Sequence, residues 1–265
     1  MIGRVLGVPV HVLGLSEARD EIANWVRSGK RPPAIIAHTN ALSLVTAQEE
    51  PGYHQALQSF DLSLADGMPV VWLLRLRGYA QHERVYGPDL MHMLCGQAAT
   101  EGWKCFLYGG GSGVPELVRD KLKALYPSLQ VVGIYSPPFR DLTKAEDDEV
   151  VRMINTAGPD ILWVALGGAK QDLWMVRHRE RLNASVIHGV GAAFDFLAGR
   201  VPQAPRWMMK AGLEWFFRLL AEPRRLWRRY TLKNAKFLYF VLTRELVNGW
   251  FREGKRRKAT EKGNR

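Results

Sequence analysis

The chain has 265 residues, 47% of them apolar, and a net charge of +11, which is enough apolar material to bury a full core. Its two cysteines, Cys95 and Cys105, have neither metal-ligand nor redox spacing, which excludes a disulfide scaffold and suits a reducing, cytosolic setting. No run reaches the roughly 18 uninterrupted apolar residues of a spanning helix, and the apolar start, broken by Arg4, Pro9 and His11, lacks the layout of a signal peptide.

In chain order, residues 1–199 alternate short apolar runs with helix-patterned stretches. The runs at 34–38, 62–65, 105–108, 131–135, 161–165 and 186–190 predict strands. Stretches 16–27, 40–49, 114–125, 144–155 and 171–182 predict helices, the first two opening at the cap residues Ser16 and Asn40. This alternation predicts a three-layer α/β domain with a mostly parallel sheet. In such sheets ligands bind beyond the carboxyl ends of the strands. That rule singles out Thr39-Asn40, Asp66-Gly67, the glycine cluster 109–113, Gly167-Gly168 with Lys170-Gln171, and Gly191.

Each of these loops has a functional and a plainer reading. Gly109 and Gly110 open a strand-to-helix turn whose backbone N–H groups suit a phosphate, or form a simple tight turn. No Gly-Lys-Ser/Thr follows, and the dinucleotide fingerprint fails at Val114 or Glu116, depending on the glycine counted from. Asp66 directly follows an apolar strand, where burial would raise its pKa and suit it to proton abstraction; the alternative is a turn aspartate before glycine. Asn40 offers an amide to a sugar or simply caps a helix, and Arg84 and Asp89 either serve a ligand or pair with each other. The acidic run 146–149 follows Thr143 at a helix start and reads as structural. No Asp-x-Asp pair, His-Glu-x-x-His pattern or nucleophile elbow occurs, so metalloenzyme and hydrolase readings lack support.

From Arg200 the composition changes. Residues 200–265 hold 18 Lys+Arg against 5 Asp+Glu, a net +13, while residues 1–199 stand at −2. Arginines there are interleaved with Trp215, Phe216, Phe217, Trp227 and Tyr230, which suits an anionic partner with an apolar or flat component. A membrane surface, a lipid-linked phosphate or a nucleic acid fits that description. A nucleic-acid-binding module is the alternative function, although the basic residues are confined to this segment and no nucleic-acid motif occurs. The expected organisation is therefore an α/β domain over 1–199 and a basic, aromatic-rich helical appendage over 200–265.

The loops are individually ambiguous, but their order is specific. Thr39-Asn40-Ala41, Leu64-Ala65-Asp66-Gly67-Met68-Pro69 and Arg84-Val85-Tyr86-Gly87-Pro88-Asp89-Leu90 are followed by Phe106-Leu107-Tyr108-Gly109-Gly110. Then come Gly167-Gly168-Ala169-Lys170-Gln171-Asp172, Gly189-Val190-Gly191-Ala192-Ala193-Phe194-Asp195 and Gly212-Leu213-Glu214-Trp215. Across roughly residues 3–245 the chain resembles the WecG/TagA/CpsF glycosyltransferases of bacterial cell-envelope polysaccharide synthesis. It departs from them at Ala169 and Asp172, where proline and glutamate are usual, and at Gln203, where an arginine is usual.

The resemblance implies a Rossmann-like body and an inverting transfer from a UDP-sugar to a saccharide on undecaprenyl diphosphate. The sugar would be N-acetylmannosamine, its uronic acid or a glucose-type sugar. It implies no obligatory metal or other cofactor, and a cytoplasmic enzyme lying peripherally on the inner face of the membrane, held by an anionic surface and binding no nucleic acid. Asp66 would be the catalytic base. Thr39, Asn40 and Gln171 would position sugar hydroxyls, with Arg84, Gly191 and the Gly109-Gly110 amides also on substrate. By motif register, Arg218, Arg225 and Arg228 of the appendage would engage the carrier's diphosphate or close over the active site. They share one helix face only if the helix runs through Pro223.

Overall fold

The computed structural model describes residues 1–246, without the side chains of Arg225, Arg228, Arg229, Tyr230, Glu245 and Leu246. Its strands are β1 (Ile2–Val5), β2 (Val8–His11), β3 (Ala34–Thr39), β4 (Leu62–Ala65), β5 (Lys104–Gly109), β6 (Gln130–Tyr135), β7 (Ile161–Ala165) and β8 (Val186–Gly189). They form one eight-stranded sheet in the order β1-β2-β4-β3-β8-β7-β5-β6. Only the β1–β2 pair is antiparallel.

Side chains alternate between the two faces of each strand, and the core divides accordingly. Ile35, Ala37, Phe106, Tyr108, Leu162, Val164 and Ile187 face one apolar cluster. Their neighbours Ala34, Ile36, Cys105, Leu107, Ile161, Trp163 and Val186 face the other. Helices cover both faces. α1 (Leu15–Arg27) is followed by α2 (Ala41–Glu49), α3 (Pro51–Gln58), α4 (Met68–Leu76), α5 (Gly87–Glu101) and α6 (Val114–Leu125). Then come α7 (Lys144–Ala157), α8 (Gly168–His178), α9 (Ala193–Leu197), α10 (Arg206–Lys210), α11 (Glu214–Ala221) and α12 (Pro223–Phe240). Leu44, Val70, Val150 and Trp174 place α2, α4, α7 and α8 over the first face; Ile22, Leu94, Val118 and Phe194 place α1, α5, α6 and α9 over the second. The expected three-layer, mostly parallel α/β architecture is what the chain adopts.

All six expected strands form. The β1–β2 hairpin adds two more, turning at Leu6 (φ 49°) and Gly7 (φ 81°) with both residues left-handed, as a type I′ two-residue turn requires. α1 starts at Leu15 rather than from a Ser16 cap. The Gly14 N–H donates to Glu17 Oε2 at 2.7 Å and the Leu15 N–H to Glu83 Oε1 at 2.9 Å, so carboxylates do the capping. α8 begins three residues before Gln171 and ends at His178, where a 3-10 turn (Arg179–Arg181) follows.

The helix does not run through Pro223. α11 ends at Ala221, Glu222 (φ −134°, ψ 58°) is non-helical, and Pro223 starts α12. A proline has no N–H for the preceding turn and disfavours helical geometry in the residue before it, yet suits a first helical position. Arg218 therefore lies on a different helix from Arg225 and Arg228, whose side chains lie outside the described residues. α12 returns over α2: Lys233 and Lys236 both bond Glu49, and Phe237 and Val241 are buried in the first core cluster. Residues 247–265, with the rest of the basic segment, lie outside the described residues.

Candidate active site

The carboxyl ends of β3 to β8 open into one cavity of about 2080 Å³, which α11 and α12 help to wall. Asn40 enters it from the end of β3, Asp66 from β4, Gly110 from β5, Gly167 from β7 and Gly191 from β8. Arg84, Glu214 and Arg218 reach the same space from outside the sheet.

Asp66 is placed by its backbone. β4 is buried along its whole length, and the Asp66 N–H donates to Thr39 O at 2.9 Å, extending the β3–β4 ladder by one step. Gly67 then turns the chain at φ 147°, a conformation that favours glycine, and Pro69 lies in the first turn of α4. The Asp66 carboxyl is half-buried, and no described side chain donates to it. Burial pushes its pKa up to about 7; the charges of Arg84 and Arg218 pull it down, while Glu214 and Asp89 push it further up. A carboxyl that is half ionised near neutrality and open to a cavity is suited to accept a proton.

Two guanidinium groups stand by it. Arg84 Nη1 donates to Glu214 Oε2 at 2.7 Å, and its Cζ lies 4.2 Å from the Tyr86 ring centroid. Its Nη2 is buried without a partner, as is Nε of Arg218, whose Cζ sits 5.6 Å over the Phe196 ring. A buried donor left unpaired costs about 1–3 kcal/mol, so both arginines hold unmet hydrogen-bonding capacity at the cavity wall. Asp89 pairs with Arg206 (2.6 and 3.0 Å) rather than with Arg84, so the surface pairing weighed for Arg84 and Asp89 does not occur. Gln203 donates to Tyr86 Oη at 3.3 Å.

Gln171 and Gly191 are brought together: the Gly191 N–H donates to Gln171 Oε1 at 3.0 Å. Gly189 makes room for this, since a Cβ there would lie 2.4 Å from Gln171 Nε2. Asn40 caps α2, its Oδ1 accepting from the Leu42 and Ser43 N–H groups at 3.0 and 3.1 Å, which leaves its Nδ2 as the group it can present to the cavity. Thr39 is a correction. Its hydroxyl lies 2.6 Å from Ser63 Oγ between strands, it is buried, and it does not line the cavity.

Gly109 and Gly110 also serve the sheet rather than a phosphate. A Cβ on Gly109 would stand 2.4 Å from the Ala165 carbonyl oxygen of β7, and the Gly110 N–H donates to that oxygen at 2.8 Å. Only Gly110 lines the cavity, with its N–H already committed. Among the described residues, the N–H groups without a protein acceptor come later in the loop, at Gly111, Ser112 and Gly113.

Sequence reasoning missed several cavity groups. Tyr53 of α3 donates to Asp172 Oδ2 at 2.6 Å, and burial raises that carboxyl to about 6 against the donations of Tyr53 and Gln171. Nothing in the motif-free segment around Tyr53 announces this. His38, by contrast, is an imidazole at the end of an apolar strand, a signal visible in the sequence and not followed. The acidic run 146–149 is structural in its first members: Thr143 and Glu146 cap α7 reciprocally, and Asp147 bonds His178 and Arg181. Among the described residues no group of three or more His, Cys, Asp or Glu side chains is placed to hold a metal ion.

Comparison with known proteins agrees with this geometry. Two curated relatives, from Bacillus subtilis and Bacillus spizizenii, are each 32% identical over 212 residues, 80% of this chain and 80% of their own length. Both are described as N-acetylglucosaminyldiphosphoundecaprenol N-acetyl-beta-D-mannosaminyltransferases. The model of the glycosyl transferase WecG/TagA/CpsF family matches residues 3–250, a span that takes in the whole sheet except Ile2 of β1, and each cavity residue named above. The nucleic-acid alternative is left without a supporting observation: the chain is a glycosyltransferase and belongs to the WecG/TagA/CpsF family.

Proposed function

We propose that the protein transfers an N-acetylmannosamine-type sugar, with inversion, from a UDP-sugar to N-acetylglucosaminyldiphosphoundecaprenol in cell-envelope polysaccharide synthesis. The observation that carries this reading is Asp66, a cavity carboxyl raised to about 7 with two incompletely bonded guanidinium groups beside it. The relatives' printed activity supports the acceptor. In the reaction the acceptor hydroxyl oxygen attacks the anomeric carbon from the face opposite UDP. Its proton passes to Asp66, the bond to the diphosphate breaks, and UDP leaves with the electron pair. Arg84, Arg218 and the Gly111 amide, the one free N–H of that loop whose residue lines the cavity, supply fixed positive charge and donors for that leaving group. Asn40 Nδ2 and Gln171 are the groups available to sugar hydroxyls.

The test is incubation with a panel of UDP-sugars and N-acetylglucosaminyldiphosphoundecaprenol, followed by product mass and anomeric configuration. A retained configuration, or no product with any UDP-sugar, would overturn the proposal. With the leaving group served by guanidinium and amide donors, transfer is also expected to survive excess EDTA. Loss of activity on EDTA treatment, restored by magnesium or manganese, would show that a divalent ion does that work.

The C-terminal segment is proposed to hold the enzyme on the inner face of an anionic membrane. Among the described residues no helix is long and apolar enough to cross one. Trp207 (65% exposed), Trp227 (52%) and Tyr239 (60%) stand out from a segment rich in Lys and Arg. Aromatic rings suit the headgroup zone, and each basic side chain within a Debye length (roughly 8 Å) contributes about 1 kcal/mol. Sedimentation with phosphatidylglycerol vesicles should therefore show binding that weakens between 50 and 500 mM salt (values on the order of those that span strong and weak screening). Binding that is indifferent to salt or to lipid charge would count against the idea.

A further inference from the structure

Two histidines, His188 buried and His38 half-buried, meet beside the segment that carries Arg84. His38, at the end of β3, lines the cavity; His188, on β8, does not. Their Nε2 atoms are 2.9 Å apart, with the rings inclined by 16°. His38 Nδ1 lies 3.2 Å from the Val85 carbonyl oxygen, and His188 packs against Trp163 with its own Nδ1 buried and unpartnered. Burial holds His38 down at about 4 and His188 well below its ordinary value, so both rings are neutral at pH 7 and share two protons among four nitrogens.

Hydrogen-bond chemistry then permits one arrangement. A carbonyl oxygen only accepts, so His38 Nδ1 carries a proton and its Nε2 is bare. The proton between the rings must therefore come from His188 Nε2. That leaves His188 Nδ1 bare, and a bare nitrogen is the kind that can stay buried without an acceptor. The opposite arrangement would turn a lone pair towards Val85 O and bury an unanswered N–H at His188.

We propose that His38 and His188 are positioning residues that fix the Arg84 segment beside Asp66 through a directional chain, His188 Nε2–H to His38 Nε2 and His38 Nδ1–H to Val85 O. Val85 is held from its other side as well, its N–H donating to Ala65 O at 2.8 Å, directly before Asp66. Both polar groups of one peptide residue are thereby fixed between Arg84 and Tyr86, whose side chains stack on each other. Gly87 lies so close that a Cβ there would be 3.3 Å from His38 Nε2. The charged groups facing Asp66 are Arg84, Asp89 on α5, and Glu214 and Arg218 on α11. Loosening Arg84 removes the first of the two cations that favour the carboxylate. The inference rests on the reading of Asp66 as base and Arg84 as its neighbour.

The test has two parts. Long-range ¹⁵N–¹H spectra of the full chain labelled in histidine, with signals assigned through His38→Asn and His188→Gln, should show His38 as the Nδ1–H tautomer and His188 as the Nε2–H tautomer. The pH dependence of kcat/KM should then shift in His38→Phe, which has no donor. Its acidic limb should move up by as much as about one pH unit, a fall of about fivefold at pH 7. His38→Asn places an N–H where Nδ1 stood and should restore the limb. The proposal is overturned by either ring showing the other tautomer, by an unmoved limb in folded His38→Phe, or by His38→Asn shifting as far as His38→Phe. If His38→Phe fails to fold, the tautomers of the unaltered protein decide. A wild-type profile with no limb near pH 7 would overturn the reading of Asp66 instead, and the spectra would still judge the histidine pair.

Discussion

Asp66→Asn is expected to lower turnover by about 10²–10⁴-fold, the usual contribution of a positioned general base. The fold and the binding of UDP should survive, because Asn keeps the shape of the side chain and the Asp66 backbone N–H still donates to Thr39 O. The same carboxyl should set the pH dependence of the unaltered enzyme. A base works ionised, so kcat/KM should rise with pH through about 7 and level off above it. Stability should run the other way. The folded protein holds the Asp66 proton to about pH 7, whereas the unfolded chain releases it near 3.8. The contribution of the neutral carboxyl is thus fully present below about 3.8 and is lost as the pH rises through 7. Asp66→Asn keeps a neutral side chain at every pH. Its melting temperature should match wild type near pH 4, exceed it increasingly towards pH 7, and hold a constant excess above that. Turnover close to wild type in Asp66→Asn would remove Asp66 from the base role, whatever the melting curves show.

What the sequence disclosed depended on how local the cause was. β5 and β7 are covered on both faces, so residues 105–108 and 161–165 appear as unbroken apolar runs that need no partner to be recognised. The β1–β2 hairpin was hidden because its strands carry Arg4 and Pro9 and its left-handed turn begins with Leu6, not the usual Asn or Gly. Asp66 was legible as a carboxylate after an apolar strand, and family motif order raised it above a turn residue. Thr39 and Gly109 were misjudged for a related reason. A strand's end can be read to within a residue, but which neighbour faces the cavity and which faces the next strand depends on register. His38 turned out to line the cavity while Thr39 met Ser63, and Gly109 met the Ala165 carbonyl. The Arg84–Glu214 pair joins residues 130 apart in sequence, and the Tyr53–Asp172 bond joins residues 119 apart. Neither is inscribed in local pattern; both follow from α3 and α11 being carried to the mouth of the sheet.

The C-terminal segment is best tested at Arg218. Cutting the chain near Lys210 would abolish transfer for more than one reason, since it also strips Leu226, Phe237 and Val241 from buried positions, the last two from the core beneath α2. Arg218→Ala removes much less. Its Nε is buried with no partner, so the substitution deletes an unmet donor and should leave the melting temperature at or above that of wild type. It also removes one of the two cations acting on Asp66, so the acidic limb of kcat/KM should move up as it would on loosening Arg84. If the guanidinium meets the diphosphate as the glycosidic bond breaks, turnover should fall by about 10²–10³-fold, the scale of losing one fixed donor to developing negative charge. Arg218→Lys should recover little of this, because an ammonium is a single strongly hydrated charge and cannot present the planar fork of donors. Turnover, melting temperature and vesicle sedimentation measured on the same preparations separate the possibilities. Wild-type turnover in Arg218→Ala would take this arginine out of the reaction, and full recovery in Arg218→Lys would show that charge alone is needed there.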